Sequence, residues 1–249
     1  MRDLDRRVAV ITGAASGIGL GMVRVFTAAG FQVAMCDIRN AELDAVFGRV
    51  DILANNAGVL LRGRTVEDVP LADWKWIVGV NLYGPINGIE FFLPRIRRHG
   101  QGGHIVNTAS ISGFLVAPGR LTAPYQATKF TLVALSEALL SDLAETGIGV
   151  SVLAPAGVKT SIYQSGEARP ARFEGHSPAF PTPDTISEGV EPDDIARRVL
   201  AAIHSSAFCI FTHEDMRPWM EARHRRMMQA YDKSVPPAAH ALSSSGGVG

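Results

Sequence analysis

A tyrosine and a lysine four residues apart, Tyr125 and Lys129, form a pair that could move a proton. Residues four apart on an α-helix project from one face, so the phenol and the ammonium would lie close together. An unperturbed tyrosine has a pKa of about 10 and is a poor acid or base at neutral pH. A nearby ammonium favours the phenolate and should lower that pKa. Tyr125 could then accept a proton from an alcohol or donate one to a ketone.

A glycine-rich turn near the N-terminus has the residue types of a phosphate-binding loop. It begins after the apolar residues 8–11, a predicted buried strand, and leads into a helical pattern that starts at Gly19. Gly13, Gly17 and Gly19 would let the backbone turn sharply and approach a pyrophosphate, whose charge the amides at a helix N-terminus favour. Because a strand and a helix flank it, the turn predicts a dinucleotide site rather than a simple connection.

An acidic residue, Asp37, stands directly after the second predicted strand and 18 residues after Gly19. A carboxylate at this place can accept hydrogen bonds from both adenosine ribose hydroxyls, and it would repel a 2′-phosphate. This favours NAD over NADP as the cofactor. Arg39 leaves NADP open, because an arginine nearby could pair with that phosphate.

Strand-like and helical segments alternate along the chain, which predicts an α/β fold with one doubly wound, Rossmann-like domain. Its sheet would be mostly parallel and covered by helices on both faces. The predicted strands are 8–11, 31–36, 50–54, 104–107, 149–153 and 208–212. The predicted helices are 19–29, 41–47, 71–98, 124–145, 192–204 and 214–231. We place this domain at residues 1–241, with a Pro-, Gly- and Ser-rich substrate-binding lid at 159–190 and a flexible tail at 242–249.

The composition excludes several classes of protein. The chain has 249 residues, 47% of them hydrophobic, and 24 Lys and Arg balance 24 Asp and Glu. Disorder, nucleic-acid binding and a membrane span are therefore not expected. The two cysteines, Cys36 and Cys209, lie in apolar strand-like stretches, and the first residues carry no signal-peptide core. Both features predict a cytoplasmic protein with reduced thiols, and no residue spacing indicates a metal site.

Five motifs, in the same order, resemble those of the short-chain dehydrogenase/reductase family. They span nearly the whole chain, and their combination is specific. They are Thr12-Gly13-x-x-x-Gly17-x-Gly19, Asn55-Asn56-Ala57-Gly58, Asn81 in Val80-Asn81-Leu82-Tyr83-Gly84, Ser110, and Tyr125-x-x-x-Lys129.

The resemblance implies catalytic roles for four of these residues. Tyr125 would be the acid-base group, and Lys129 would orient the nicotinamide ribose and tune Tyr125. The positive charge of an oxidised nicotinamide should add to the effect of Lys129 in lowering the Tyr125 pKa. Ser110 would hydrogen-bond the substrate oxygen, and Asn81 would hold a water that relays protons to Lys129. Ser112 is a second candidate for the hydroxyl role, because Ser110 lies 15 positions before Tyr125, a little further than is usual in the family.

The resemblance also implies a set of cofactor contacts. Asn55 and Ala57 would line the adenosine side of the groove, and Val158 and Thr160 would contact the carboxamide. The full set comprises Gly13, Ser16, Gly17, Ile18, Gly19, Asp37, Asn55, Ala57, Gly58, Tyr125, Lys129, Val158 and Thr160.

The chain departs from the family between Asp37 and Asn55, which are only 18 positions apart. The family places a further strand and most of another helix in this interval. One βα step, roughly 30 residues on the scale of a βαβ unit, is therefore expected to be missing. The sheet should lack the edge strand beside its second strand, and the adenine pocket should lose a wall.

Two functional hypotheses follow. The first is an oxidoreductase that transfers a hydride between the nicotinamide cofactor and a secondary alcohol or ketone. The second is a non-catalytic relative, a binding or scaffold protein with a weakened cofactor site. Residues 76–88 and 147–160 resemble bacterial members that oxidise benzylic alcohols of lignin-type aryl ethers, which indicates an apolar or aromatic small-molecule substrate. Because family members pair through long helices, the resemblance also implies a homodimer or homotetramer.

Overall fold

The computed structural model describes residues 7–36, 47–173 and 183–235. In these ranges six strands form one sheet in the order β2-β1-β3-β4-β5-β6, and every neighbouring pair is parallel. The predicted doubly wound, parallel fold is therefore confirmed. The strands are β1 (Val8–Thr12), β2 (Gln32–Cys36), β3 (Ile52–Asn55), β4 (Gly103–Thr108), β5 (Ile148–Ala154) and β6 (Cys209–Phe211).

The predicted long helix 71–98 is continuous but not uniform, because its middle turn, Gly79–Tyr83, is π-helical. The chain divides into two compact units, one ending at Glu214 and the other starting at Asp215. The helices are α1 (Gly17–Ala28), α2 (Leu71–Val78), α3 (Gly84–Arg98), α4 (Ala123–Asp142), α5 (Asp184–Ser187), α6 (Pro192–Ser205) and α7 (Arg217–Ser234). Short 3₁₀ turns lie at Ile111–Gly113, Ile162–Ala168 and Glu214–Met216.

Alternate strand residues pack on opposite faces of the sheet, as the side-chain period of a strand requires. Ile11 belongs to one apolar cluster with Met22 of α1 and Val199 of α6. Its neighbour Val10 belongs to a second cluster, which contains Phe92 of α3 and residues of α4. Helices thus cover both faces of the sheet. The carboxyl ends of the strands, where ligands bind in open parallel sheets, stay uncovered by these helices.

β2 forms one edge of the sheet, since β1 is the only strand with which it pairs among the described residues. This agrees with the predicted loss of the edge strand beside the second strand. Cys36 pairs with Thr12, so β2 ends next to the glycine-rich loop. Asp37, Arg39 and most of the predicted helix 41–47 lie outside the described residues.

Element ends differ from the prediction by a few residues. The helix predicted at 124–145 ends at Asp142, and the last strand is shorter than 208–212. Gly147, with a φ of +71°, reverses the chain before β5. Within the described ranges, no helix combines the length and the apolar character that crossing a membrane requires.

Candidate active site

The glycine-rich loop leaves β1 and enters α1 at the carboxyl edge of the sheet. Gly13 has a φ of +62°, and a Cβ atom there would lie 2.8 Å from the Ala57 Cα. A Cβ atom on Gly19 would lie 2.2 Å from the Gly13 carbonyl oxygen. Ser16 is the N-cap of α1 and makes no side-chain capping bond, so it leaves the amides of the first turn available. The glycines allow a pyrophosphate to approach the backbone closely, and the N–H groups at the start of α1 can donate to it. The loop therefore fits a dinucleotide.

Gly19→Ala is expected to weaken NADH binding by roughly tenfold or more, because the new methyl group would push against the Gly13 carbonyl and displace the loop. Titration followed by nicotinamide fluorescence measures the affinity. Gly84→Ala is the matched control, since a Cβ atom on this helical glycine meets nothing nearer than 4.0 Å. Equal affinities for the two variants would contradict a phosphate site in this loop.

Two motif residues that were not among the predicted cofactor contacts, Thr12 and Asn56, connect the loop to β3. The Thr12 hydroxyl accepts hydrogen bonds from the backbone N–H groups of Asn56 (2.9 Å) and Ala57 (3.0 Å). The Asn56 side-chain amide donates to the carbonyls of Thr12 (3.1 Å) and Gly13 (3.3 Å). Their signal was the position of Thr-Gly and Asn-Asn-Ala-Gly at the ends of neighbouring parallel strands.

The Asn55 side chain takes part in a buried polar network rather than in the groove. Its amide donates to Asn107 Oδ1 at 2.9 Å, and Asn107 donates to the Ser136 hydroxyl on α4 at 3.0 Å. The side chain is also 3.4 Å from the Pro85 carbonyl. Asn55 can therefore offer a cofactor only its backbone, while its side chain fixes α3 and α4 on the sheet.

Other predicted cofactor residues lie around the same loop. A Cβ atom on Gly17 would lie 2.9 Å from Thr160 Cγ2, so Thr160 lies across the loop. Val158 is buried and bridges to Val190. Ile18 is buried in the core cluster. Residues of the first, third and fifth strand ends thus surround one groove.

Tyr125 and Lys129 are both buried on α4, with the lysine Nζ 5.6 Å from the centre of the tyrosine ring. Lys129 Nζ donates to the Thr108 carbonyl at 2.7 Å. The Ser110 hydroxyl lies near the Tyr125 phenol and acts to lower its pKa. Ser110 Oγ also contacts the Pro155 carbonyl at 3.3 Å and accepts from the Ser112 backbone N–H at 3.1 Å. The structure therefore brings Ser110 to Tyr125, and Ser112 supports Ser110 through its backbone.

Asn81 lies in the π-helical turn and is fully buried. Its side-chain oxygen accepts from the Val59 N–H at 2.8 Å, and its amide donates to the Val59 carbonyl at 2.9 Å and to Thr128 Oγ1 at 3.2 Å. A Cβ atom on Gly58 would lie 3.6 Å from both Asn81 Oδ1 and Lys129 Nζ. Both amide protons of Asn81 are thus used within the protein, and the side chain connects the Val59 segment to α4. Single π-helical turns are frequent at functional sites.

The protein's own groups shift the pKa values of Tyr125 and Lys129 mainly through burial. Burial raises the pKa of Tyr125 to about 12, against a smaller lowering by the Ser110 hydroxyl and a further rise from Tyr163. Burial also lowers the pKa of Lys129 to about 7. In both groups burial disfavours the charged form. The predicted lowering of the Tyr125 pKa by Lys129 together with a positively charged nicotinamide stays a prediction.

Comparison with known proteins identifies the family. The sequence model described as short chain dehydrogenase matches residues 7–47 and 41–170. A C alpha-dehydrogenase from Sphingobium sp. strain SYK-6 is 32% identical over 279 aligned positions, which cover 95% of this chain and 89% of the relative. A 1-deoxy-11-beta-hydroxypentalenate dehydrogenase from Streptomyces exfoliatus is 33% identical, with 86% of each chain covered. The chain belongs to the short-chain dehydrogenase/reductase family, as predicted, and is an NAD(P)-dependent oxidoreductase.

A solved structure supports the fold assignment. A short-chain dehydrogenase/reductase from Burkholderia phymatum, crystallised in complex with NAD, superposes with a TM-score of 0.80 at 30% identity. The superposition covers 92% of this chain and 97% of that one. A nicotinamide cofactor is therefore expected in the groove between the glycine-rich loop and Tyr125.

The comparisons also bear on the predicted missing βα step. The family model matches in two pieces, and the break falls at residues 41–47, within the interval that is too short. The alignment with the Sphingobium dehydrogenase extends over 279 positions although this chain has 249 residues, so the relative carries residues that this chain lacks. Both findings agree with β2 at the sheet edge.

Proposed function

We propose that the protein is an NAD-dependent dehydrogenase of secondary alcohols, and the reverse ketone reductase, with Tyr125 as the acid-base group. The observation that carries the proposal is the arrangement of Ser110, Tyr125 and Lys129 beside the glycine-rich loop. All three are buried at the carboxyl edge of the sheet. A non-catalytic relative would have no need for a desolvated lysine and tyrosine next to a phosphate-binding loop.

Each residue of this group has a defined task. Tyr125 takes the hydroxyl proton during oxidation and returns it to the carbonyl oxygen during reduction. Ser110 can turn its hydroxyl from the Pro155 carbonyl, 3.3 Å away, to the substrate oxygen and stabilise its charge. Lys129, anchored on the Thr108 carbonyl, offers its other protons to a cofactor ribose. The nicotinamide supplies the hydride acceptor in oxidation and the hydride donor in reduction.

NAD rather than NADP follows from Asp37, whose carboxylate would accept ribose hydroxyls and repel a 2′-phosphate. The position directly follows Cys36, which pairs with Thr12 at the start of the loop. The cofactor in the Burkholderia structure is NAD, which supports the same choice. Comparing Kd values for NADH and NADPH tests it.

An apolar or aromatic group on the carbinol carbon is the substrate feature that we propose. Tyr125 belongs to an apolar cluster with Leu61, Trp76 and Ile77, and Phe173 packs against this cluster. Such side chains favour an aryl or alicyclic substituent over a charged one. The Sphingobium relative is named a C alpha-dehydrogenase, and the Streptomyces relative acts on a hydroxypentalenate, so the choice between substituents needs direct measurement.

The proposed activity is tested by two linked measurements. Nicotinamide fluorescence first shows whether NADH binds to the purified protein. Formation of NADH is then followed with a panel of benzylic, alicyclic and steroid alcohols. NADH binding with turnover of at least one alcohol supports the proposal. If NADH does not bind at millimolar concentration, the proposal is wrong and the protein is a non-catalytic relative.

Alcohol oxidation is expected to rise with pH between 7 and 10. Oxidation needs the Tyr125 phenolate, and burial raises the pKa of this phenol to about 12, so the phenolate fraction grows through this whole range. Ketone reduction needs the protonated phenol and should hold its rate at neutral pH. Initial rates in both directions over a pH series measure this. An oxidation rate that is highest below pH 7 would contradict the assignment.

We further propose a homodimer or homotetramer that pairs through the helices of the 71–98 and 123–142 regions. Phe91 on α3 and Leu140 on α4 are 39% and 37% exposed, which leaves apolar surface on both helices. Light scattering coupled to gel filtration measures the mass. A cytoplasmic location stays a prediction.

A further inference from the structure

A buried ion pair joins helix α2 to the segment after β5, here called the lid segment and defined as residues 161–173. Arg169 Nη1 lies 2.6 Å from Asp73 Oδ1, and the two side chains are only 4% and 6% exposed. The two residues are 96 positions apart in the chain. The contact therefore forms only when the lid segment lies against α2.

Arg169 makes two further contacts. Its Nε donates to the Phe173 carbonyl at 2.9 Å, and its guanidinium carbon lies 5.0 Å from the centre of the Trp76 ring. A carboxylate at Nη1, a carbonyl at Nε and a ring beside the guanidinium carbon are three partners that one guanidinium can serve at once. Arg169 thus holds Asp73 and Trp76 of α2 and the end of the lid segment at once.

The lid segment reaches the catalytic tyrosine through apolar side chains. Ile162 and Phe173 pack against the cluster that contains Trp76 and Tyr125. A second attachment lies nearby, where the Ser165 hydroxyl accepts from the Leu60 N–H at 3.0 Å. The ion pair and this hydrogen bond fix the wall that a substrate would meet beside Tyr125.

Stability alone does not explain such a pair. Taking two charges out of water costs about as much as their attraction returns, so a buried ion pair is weak support for stability. The ion pair instead favours one specific position of the lid segment. In any other position, the charge of Asp73 or of Arg169 would be buried without its partner. The pair therefore acts as a latch that selects one position of the lid segment.

We propose that Asp73 and Arg169 are positioning residues that hold Phe173 and Ile162 beside Tyr125, and so set the affinity for the apolar substituent of the alcohol. This rests on the proposed dehydrogenase function. Neither residue touches the reacting atoms. Their loss should raise the KM for the alcohol much more than it lowers kcat, because the wall is lost while Tyr125, Ser110 and Lys129 stay in place.

The variants Asp73→Asn and Arg169→Lys test the latch. Lysine keeps a charge opposite Asp73 and so protects folding, but it lacks the donor to the Phe173 carbonyl and the plane that stacks on Trp76. Both variants are expected to raise KM for the alcohol roughly tenfold, with kcat within about threefold of wild type and the NADH affinity unchanged. Asp68→Asn, which alters an exposed aspartate just before α2, is the matched control. A fall in kcat at unchanged KM would overturn the proposal.

Hydrogen exchange gives a readout that needs no substrate. In both variants the amides of Ile162–Ala168 should exchange at least roughly tenfold faster, while those of β4 and β5 keep their wild-type rates. Exchange that is unchanged in the lid segment, or that rises equally in β4 and β5, would overturn the latch. If the protein oxidises no alcohol, the dehydrogenase proposal fails, and the exchange rates still decide whether the latch exists.

Discussion

Tyr125→Phe is expected to lower kcat for alcohol oxidation by at least roughly 10²–10⁴-fold while leaving NADH binding intact. The substitution removes one oxygen atom and keeps the ring, which packs in the apolar cluster with Trp76. Lys129 keeps its hydrogen bond to the Thr108 carbonyl, so the ribose contact that we propose for it survives. Only the group that exchanges the substrate proton is lost.

The measurement compares single-turnover rates and NADH titrations of the variant and wild type. Tyr83→Phe is the matched control, since it removes the same oxygen atom from a tyrosine that is 58% exposed. The control should keep wild-type rates. Turnover by Tyr125→Phe above about a tenth of the wild-type rate would show that another group moves the proton.

The burial of this tyrosine also explains what the sequence could and could not predict about it. The four-residue spacing of Tyr125 and Lys129 correctly predicts that both lie on one helix and face one region, because helical periodicity is local. The pKa values depend on how much of the protein surrounds α4, and no local pattern carries that information. Burial raises the Tyr125 pKa to about 12 in the protein alone, and the lowering expected from Lys129 together with an oxidised nicotinamide stays a prediction.

Other features of the site could not be predicted from the sequence, because they too depend on tertiary packing and not on a local pattern. The π-helical turn at Gly79–Tyr83 differs from an α-helix by one residue in register, which a pattern of apolar residues over 71–98 does not resolve. The pairing of Asp73 with Arg169 joins residues 96 positions apart. The hydrogen bond from the Asn55 side chain to Asn107 likewise joins residues 52 positions apart, and the contact of Asn55 with a cofactor stays a prediction.

The unusual spacing after Asp37 was visible in the sequence because it is a distance between two recognisable motifs. It predicted a sheet without its outer strand, and within residues 7–36, 47–173 and 183–235 β2 does form the edge. The glycine-rich loop is fixed from the opposite side, through Thr12 and Asn56 between β1 and β3. The phosphate end of the groove therefore does not depend on the missing step. Its effect should fall on the adenine end, where the family has an additional wall.

Asp51→Ala is expected to destabilise the protein by roughly 1.5–3 kcal/mol, the usual worth of hydrogen bonds to a buried charged group. The Asp51 side chain is fully buried at the start of β3. Its carboxylate accepts from the Val8 N–H at 2.9 Å, from Arg49 Nε at 2.9 Å and from Arg7 Nη1 at 3.2 Å. The substitution leaves two guanidinium groups and a strand amide without this acceptor. A fall in Tm of roughly 3–12 °C corresponds to this loss in a unit of this size.

Because Asp51 lies at the amino end of β3 and the catalytic group at the carboxyl edge, stability and chemistry should separate. Below its melting temperature, Asp51→Ala should keep the wild-type kcat, whereas Tyr125→Phe should keep the wild-type Tm. Asp194→Ala is the control for Asp51, since its exposed ion pair with Arg197 should be worth less than about 1 kcal/mol. Urea unfolding measures the free energies. If the free energy of unfolding of Asp51→Ala lies within about 1 kcal/mol of the wild-type value, the Asp51 carboxylate contributes little to stability and the prediction is wrong.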